Sequence, residues 1–210
     1  MKKIILISVF ALLSSGLLAQ SISLGPKIGY TTHKLSSDRS DITTDLKSNF
    51  LFGAFLRIGG KYYIQPEINY FTSGSVFKRP AVTYEGVDYS PVEDEITMKN
   101  IQIPLYIGYT IADLKVANIR AMAGPTATLI VDKNVKPLQS VSLIKDADIS
   151  DMKWGFQFGI GADALMFALD IQYYIGLNKI IGEVEGPGGE PIILDSRPQG
   201  FMVTLGWKIL

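Results

Sequence analysis

The sequence predicts an all-β fold: an eight-stranded antiparallel up-and-down transmembrane β-barrel behind an N-terminal signal peptide. Three observations lead there. Beyond residue 20, apolar and polar residues alternate with period two almost throughout. The connections between the alternating segments are long and short by turns. The one long apolar run is at the start, and it is too short to cross about 30 Å of hydrocarbon as a helix.

That run, residues 4–13, follows Lys2 and Lys3 and gives way to Ser14, Ser15, Gly16 and the small Ala19. A basic start, a short apolar middle and a small-residue end describe a secretory signal peptide. The chain therefore divides into a signal peptide, 1–20, with cleavage expected after Ala19 or Gln20, and a barrel domain, 21–210. The chain has 210 residues, which suits one domain. Without Lys2 and Lys3, 18 basic residues face 20 acidic ones, so no basic stripe offers itself to nucleic acid. Cysteine is absent, which removes disulfides, thiolate nucleophiles, thiolate metal sites and a lipoprotein anchor together.

Eight segments carry the alternation. Ile22, Leu24, Ile28 and Tyr30 share one face of the first, with Lys27 on the other. Phe50, Phe52, Ala54, Leu56 and Ile58 oppose Arg57; Tyr62, Ile64, Pro66, Ile68 and Tyr70 oppose Gln65 and Glu67. In the fourth, Ile101, Ile103, Leu105, Ile107 and Tyr109 oppose Gln102, Pro104 and Tyr106. The fifth sets Ile119, Ala121, Ala123, Pro125, Ala127 and Leu129 against Arg120, Thr126 and Thr128. The sixth sets Trp154, Phe156, Phe158, Ile160 and Ala162 against Gln157, several glycines and Asp163. In the seventh, Phe167, Leu169, Ile171, Tyr173, Ile175 and Leu177 oppose Asp170 and Gln172. In the last, Phe201, Val203, Leu205, Trp207 and Ile209 oppose Thr204, Gly206 and Lys208. Each segment is near the ten residues that a tilted strand needs to cross a bilayer. The apolar faces carry no charge and suit lipid; the opposite faces suit a polar lumen filled by side chains.

The connections sort by length. Residues 59–61 form a three-residue hairpin loop that wants a glycine at positive φ. Short turns near Asp113 and Leu165 join segments four to five and six to seven, whereas residues 32–48, 73–99, 131–150 and 179–196 read as long loops. Short periplasmic turns and long external loops are how outer-membrane barrels are built. Tyr30, Phe50, Tyr70, Trp154 and Phe201 fall at the long-loop ends, and Tyr62, Tyr109, Phe167 and Trp207 at the short-turn ends, where headgroups attract amphipathic rings. Pro66 and Pro125 lack a ladder donor, so a bulge or locally broken pairing is expected at each.

The stretches Tyr63-Ile64-Gln65-Pro66-Glu67-Ile68, Ile101-Gln102-Ile103-Pro104-Leu105, Ala123-Gly124-Pro125 and Leu205-Gly206-Trp207-Lys208-Ile209 resemble the outer-membrane β-barrel family of the Bacteroidetes, best known for its PorT-like branch. The resemblance spans essentially all of the chain after the leader. It implies an eight-stranded barrel of a family mostly without a known activity and, for the PorT-like branch, a link to protein secretion and gliding. Barrels of this kind usually end on an aromatic; here Ile209 and Leu210 follow Trp207.

Candidate chemistry is sparse. His33 is the only histidine, with Ser36 and Asp38 close by in sequence. A lipid-modifying hydrolase in the membrane would need such a histidine beside a serine, but a solvated loop histidine is the simpler reading. Gly159-Ile160-Gly161-Ala162-Asp163-Ala164 matches a dinucleotide fingerprint only superficially, because a strand rather than a helix follows. Glu93, Asp94 and Glu95, and Glu183, Glu185, Glu190 and Asp195, lack a calcium-loop spacing and read as solvated external loops. Gly186-Pro187-Gly188-Gly189 is a loop tip. No catalytic residue, cofactor or metal site is expected.

The sharpest expectation is structural. Asp163 and Asp170 flank the sixth turn at equal steps and should face each other inside the barrel, with Arg120 and Lys208 on either side. These four side chains are expected to form a charge-balanced plug near the periplasmic mouth. The whole is read as a monomeric, integral outer-membrane protein with both termini in the periplasm. It would act without catalysis as an anchor, adhesion or assembly factor through external loops or the periplasmic rim. Its expected partners are outer-membrane lipids, the barrel-assembly machinery and a protein at either end. The rival readings are a PorT-like secretion accessory, a lipid hydrolase, and a soluble lipocalin-like carrier, whose apolar face would point inward.

Overall fold

The structure, a computed structural model, describes residues 22–36, 43–79, 82–84, 87–89, 92–114, 116–137, 151–178, 181–185 and 191–210. The leader lies outside these residues. Eight strands form the wall: β1 (Ile22–Ser36), β2 (Thr43–Gly59), β3 (Tyr62–Arg79), β4 (Val92–Leu114), β5 (Ala117–Pro137), β6 (Met152–Ala164), β7 (Phe167–Gly176) and β8 (Pro191–Trp207). Each pairs antiparallel with its neighbours in chain order, and β8 closes on β1 from Lys27↔Gly206 to Ser36↔Arg197. Closure removes the edges that an open sheet would expose. Short strands at Val82–Tyr84 and Val87–Tyr89 pair with each other, and one at Ile181–Glu185 pairs with the start of β8.

The faces are those the alternation demands. Ile28, Phe52, Ile64, Ile103, Ile107, Phe158, Ile171 and Leu205 point outward and are exposed. Arg120, Gln65, Gln102, Gln157, Gln172 and Tyr106 point inward and are fully buried. A soluble lipocalin-like carrier would reverse this, so that rival is removed by geometry. Cross-strand aromatic pairs mark both ends of the outer face. Tyr30 meets Phe50 edge-on at 6.0 Å and Tyr62 meets Tyr109 at 5.0 Å, arrangements that aromatic quadrupoles favour.

A narrow lumen fills only if large side chains lie over small neighbours. The Tyr63 ring lies where a Cβ of Gly108 would be, the Tyr174 ring over Gly155, and the Phe55 ring against Gly206. At the β2–β3 connection Gly59 has φ 127° and pairs with Tyr63. The three residues between this last β2–β3 pair are therefore 60–62, one later than expected.

Pro66 and Pro125 break the ladder without bulging it. The β2–β3 pairing lapses between Phe55↔Glu67 and Ile58↔Ile64, and the β4–β5 pairing between Pro104↔Thr126 and Ile107↔Ala123, with the register unchanged across both gaps. Real register shifts lie elsewhere in β4–β5, at Thr110/Ala112 and Lys99/Asn100. The connections expected as long loops are corrected most. Residues 32–36, 43–48, 73–79, 92–99, 131–137 and 191–196 continue as paired strand. Backbone pairing needs no hydrophobic alternation, and alternation vanishes where neither face meets lipid or a packed lumen.

Candidate functional site in the barrel lumen

The four charges expected near the short-turn end do converge, but their arrangement differs from the expectation. The β6–β7 turn is the two-residue Leu165–Met166, so Asp163 pairs with Ala168 and Asp170 pairs with Gly161. The carboxylates are diagonal, not opposite. A turn centred one residue earlier displaces the register by two, which keeps both side chains inside but separates them along the lumen.

Arg120 fills the space between them. It pairs with Gly161, which pairs with Asp170, so one row crosses β5, β6 and β7. Gly161 has no side chain, and the guanidinium passes over it. Arg120 Nη2 donates to Asp163 Oδ1 at 2.8 Å and to Asp170 Oδ1 at 2.7 Å, and Nη1 donates to the Tyr63 hydroxyl at 3.3 Å. A methyl group at Gly161 would overlap Asp170 Oδ1 and lie 2.7 Å from Arg120 Nη2.

Arg57 was placed on the inner face by its sequence, yet nothing pointed to its role here. Its Nη1 donates to Asp163 Oδ2 at 2.6 Å and its Nε to Gln65 Oε1 at 2.6 Å. Its guanidinium lies 5.1 Å from the centroid of the Tyr63 ring, which Arg120 approaches from 5.9 Å. Lys208 is the loosest member, 3.8 Å from Asp163 and one-fifth exposed. Three cations thus surround two carboxylates, Arg57 being the member that the expectation of four residues lacks.

Gln65 extends the network upward. Its amide donates to Glu67 Oε1 at 2.7 Å; Glu67 also takes the Lys27 ammonium and the Asn69 amide. Charged and amide side chains from β1, β2, β3, β5, β6 and β7, with Lys208 just past β8, are thereby joined inside the wall. Both carboxylates near the mouth are held by guanidinium groups. A separate group at the far end joins Lys153 to Asn100 Oδ1 at 3.1 Å and Asn100 to Ser73 at 2.9 Å.

The other candidates carry less. The backbone of His33 lies in β1, paired with Lys47 and Gly200, but its side chain and Asp38 fall outside the described residues. So do the side chains of Glu93, Asp94, Glu95, Glu183, Glu185, Glu190 and Asp195, and residues 186–189. Gly159 and Gly161 lie in a strand, which disposes of the dinucleotide fingerprint. Among the described residues no three histidine, cysteine or acidic side chains gather as a metal site would require.

A transmembrane wall with an apolar outside and a charged inside has relatives. Residues 18–182 match the family described as the outer membrane protein beta-barrel domain. The chain belongs to that family. It is an integral outer-membrane β-barrel, and β8, which closes the wall, lies past the matched residues. OprG of Pseudomonas aeruginosa shares the fold, with 13% identity, a TM-score of 0.52, and coverage of 90% of this chain and 97% of that one. NspA of Neisseria gives 11% identity, a TM-score of 0.44 and coverage of 90% and 99%. Ail of Yersinia pestis, in its complex with the heparin analogue sucrose octasulfate, gives 9% identity, a TM-score of 0.44 and coverage of 90% and 99%. No curated protein sequence matches the chain.

Proposed function

We propose that this barrel is a non-enzymatic anchor whose adhesion or assembly role is carried by the sheet it raises above one end, with a charged plug closing the lumen. The observation that carries the reading is the uneven height of the wall. Pairing of β1 with β2 runs out to His33↔Lys47, of β2 with β3 to Thr43↔Lys78, and of β3 with β4 to Arg79↔Val92. Pairing of β4 with β5 begins at Asp94↔Pro137 and of β8 with β1 at Ser36↔Arg197. On the other side β5 and β6 part at Leu129↔Met152, and β6 and β7 at Gly155↔Gly176. Among the described residues, the wall from β8 through β1 to β5 thus rises above the part at β6 and β7. Raised sheet offers backbone groups and alternating side chains to an extended partner.

Ile22, where β1 begins, and Trp207, where β8 ends, lie at the opposite end, beside the three short turns. An exported barrel with short turns inside and long hairpins outside has its termini in the periplasm, and the raised sheet then faces the exterior. Deleting residues 76–95, the tip of the β3–β4 hairpin, is expected to leave a heat-modifiable, carbonate-resistant barrel and to abolish attachment by cells that express it. If cells carrying the deletion attach as well as wild type, while cells lacking the whole protein do not, the raised sheet is not the working surface.

The resemblance of the Gln65-Pro66-Glu67 and Ile103-Pro104-Leu105 strands to the PorT-like branch supports a second reading, an accessory of protein secretion. A deletion strain with an unaltered secreted proteome removes that reading.

A further inference from the structure

We draw no further inference here: the strongest candidate, the buried Lys153 ammonium that donates to Asn100 Oδ1 at the far end of the lumen, carries nothing, because the connection 138–150 leading into its strand lies outside the described residues and nothing in the structure shows which anion meets it.

Discussion

Gly161 does more for the lumen than its size suggests. It lets Arg120 reach Asp170 across an intervening strand, and a single methyl group there must displace one of two buried charges. Gly161→Ala is therefore expected to destabilise the barrel by about 3–5 kcal/mol, the cost of breaking a buried ion pair. Arg120→Ala should fall in the same range of about 3–5 kcal/mol because it takes the guanidinium from buried Asp170. Lys208→Ala should cost no more than about 1 kcal/mol, since its ammonium is partly exposed and 3.8 Å from its partner. Denaturant unfolding in micelles ranks the three; Lys208→Ala costing as much as Arg120→Ala would contradict the geometry. The inward direction of these side chains is legible from alternation. Their partners are not, because a turn centred one residue earlier moves the whole pairing of β6 and β7 by two residues.

At the scale of the strand, alternation is trustworthy wherever one side meets lipid and the other a packed lumen. It predicts every barrel strand and every outward residue of the membrane zone. It is silent above that zone, where both faces see similar surroundings, and there the strands run on through what read as loops. The membrane position of these strands makes a graded prediction. Ile103→Arg, midway along β4, is expected to cost roughly 2–4 kcal/mol of folding free energy in lipid, and Phe50→Arg, within the aromatic band, about 0–1 kcal/mol. Equal costs from folding titrations into vesicles would mean that the band has been placed at the wrong depth. The prolines teach a related lesson. Loss of one donor at Pro66 or Pro125 interrupts a few pairs, yet closure on both sides holds the register, so no bulge is needed. The bulge at Ile111 leaves no such mark in the sequence.

For the whole molecule, closure and filling decide what can pass. The interior of an eight-stranded barrel is about wide enough for side chains, and here Arg57, Arg120, Asp163, Asp170, Tyr63, Gln65, Glu67 and Lys27 interlock across it. Wild-type protein in planar bilayers is expected to show no steady conductance. The double substitution Arg57→Ala and Arg120→Ala should raise the frequency of open events at least ten-fold, if the barrel still inserts. A stable open channel in the wild type would show that the network does not close the lumen. By itself the sequence determined the class of fold, the strand count, which way each side chain in the membrane zone points, and that charges would be inside. These follow from local rules: a period of two, the reach of a strand across hydrocarbon, and the aversion of charge to lipid. Only the tertiary structure decided that Arg57 joins Asp163, that Gly161 makes room for Arg120, and that the two aspartates lie diagonally across β6 and β7. Each of these depends on register between strands distant in sequence, and register is set by turns, bulges and closure acting together.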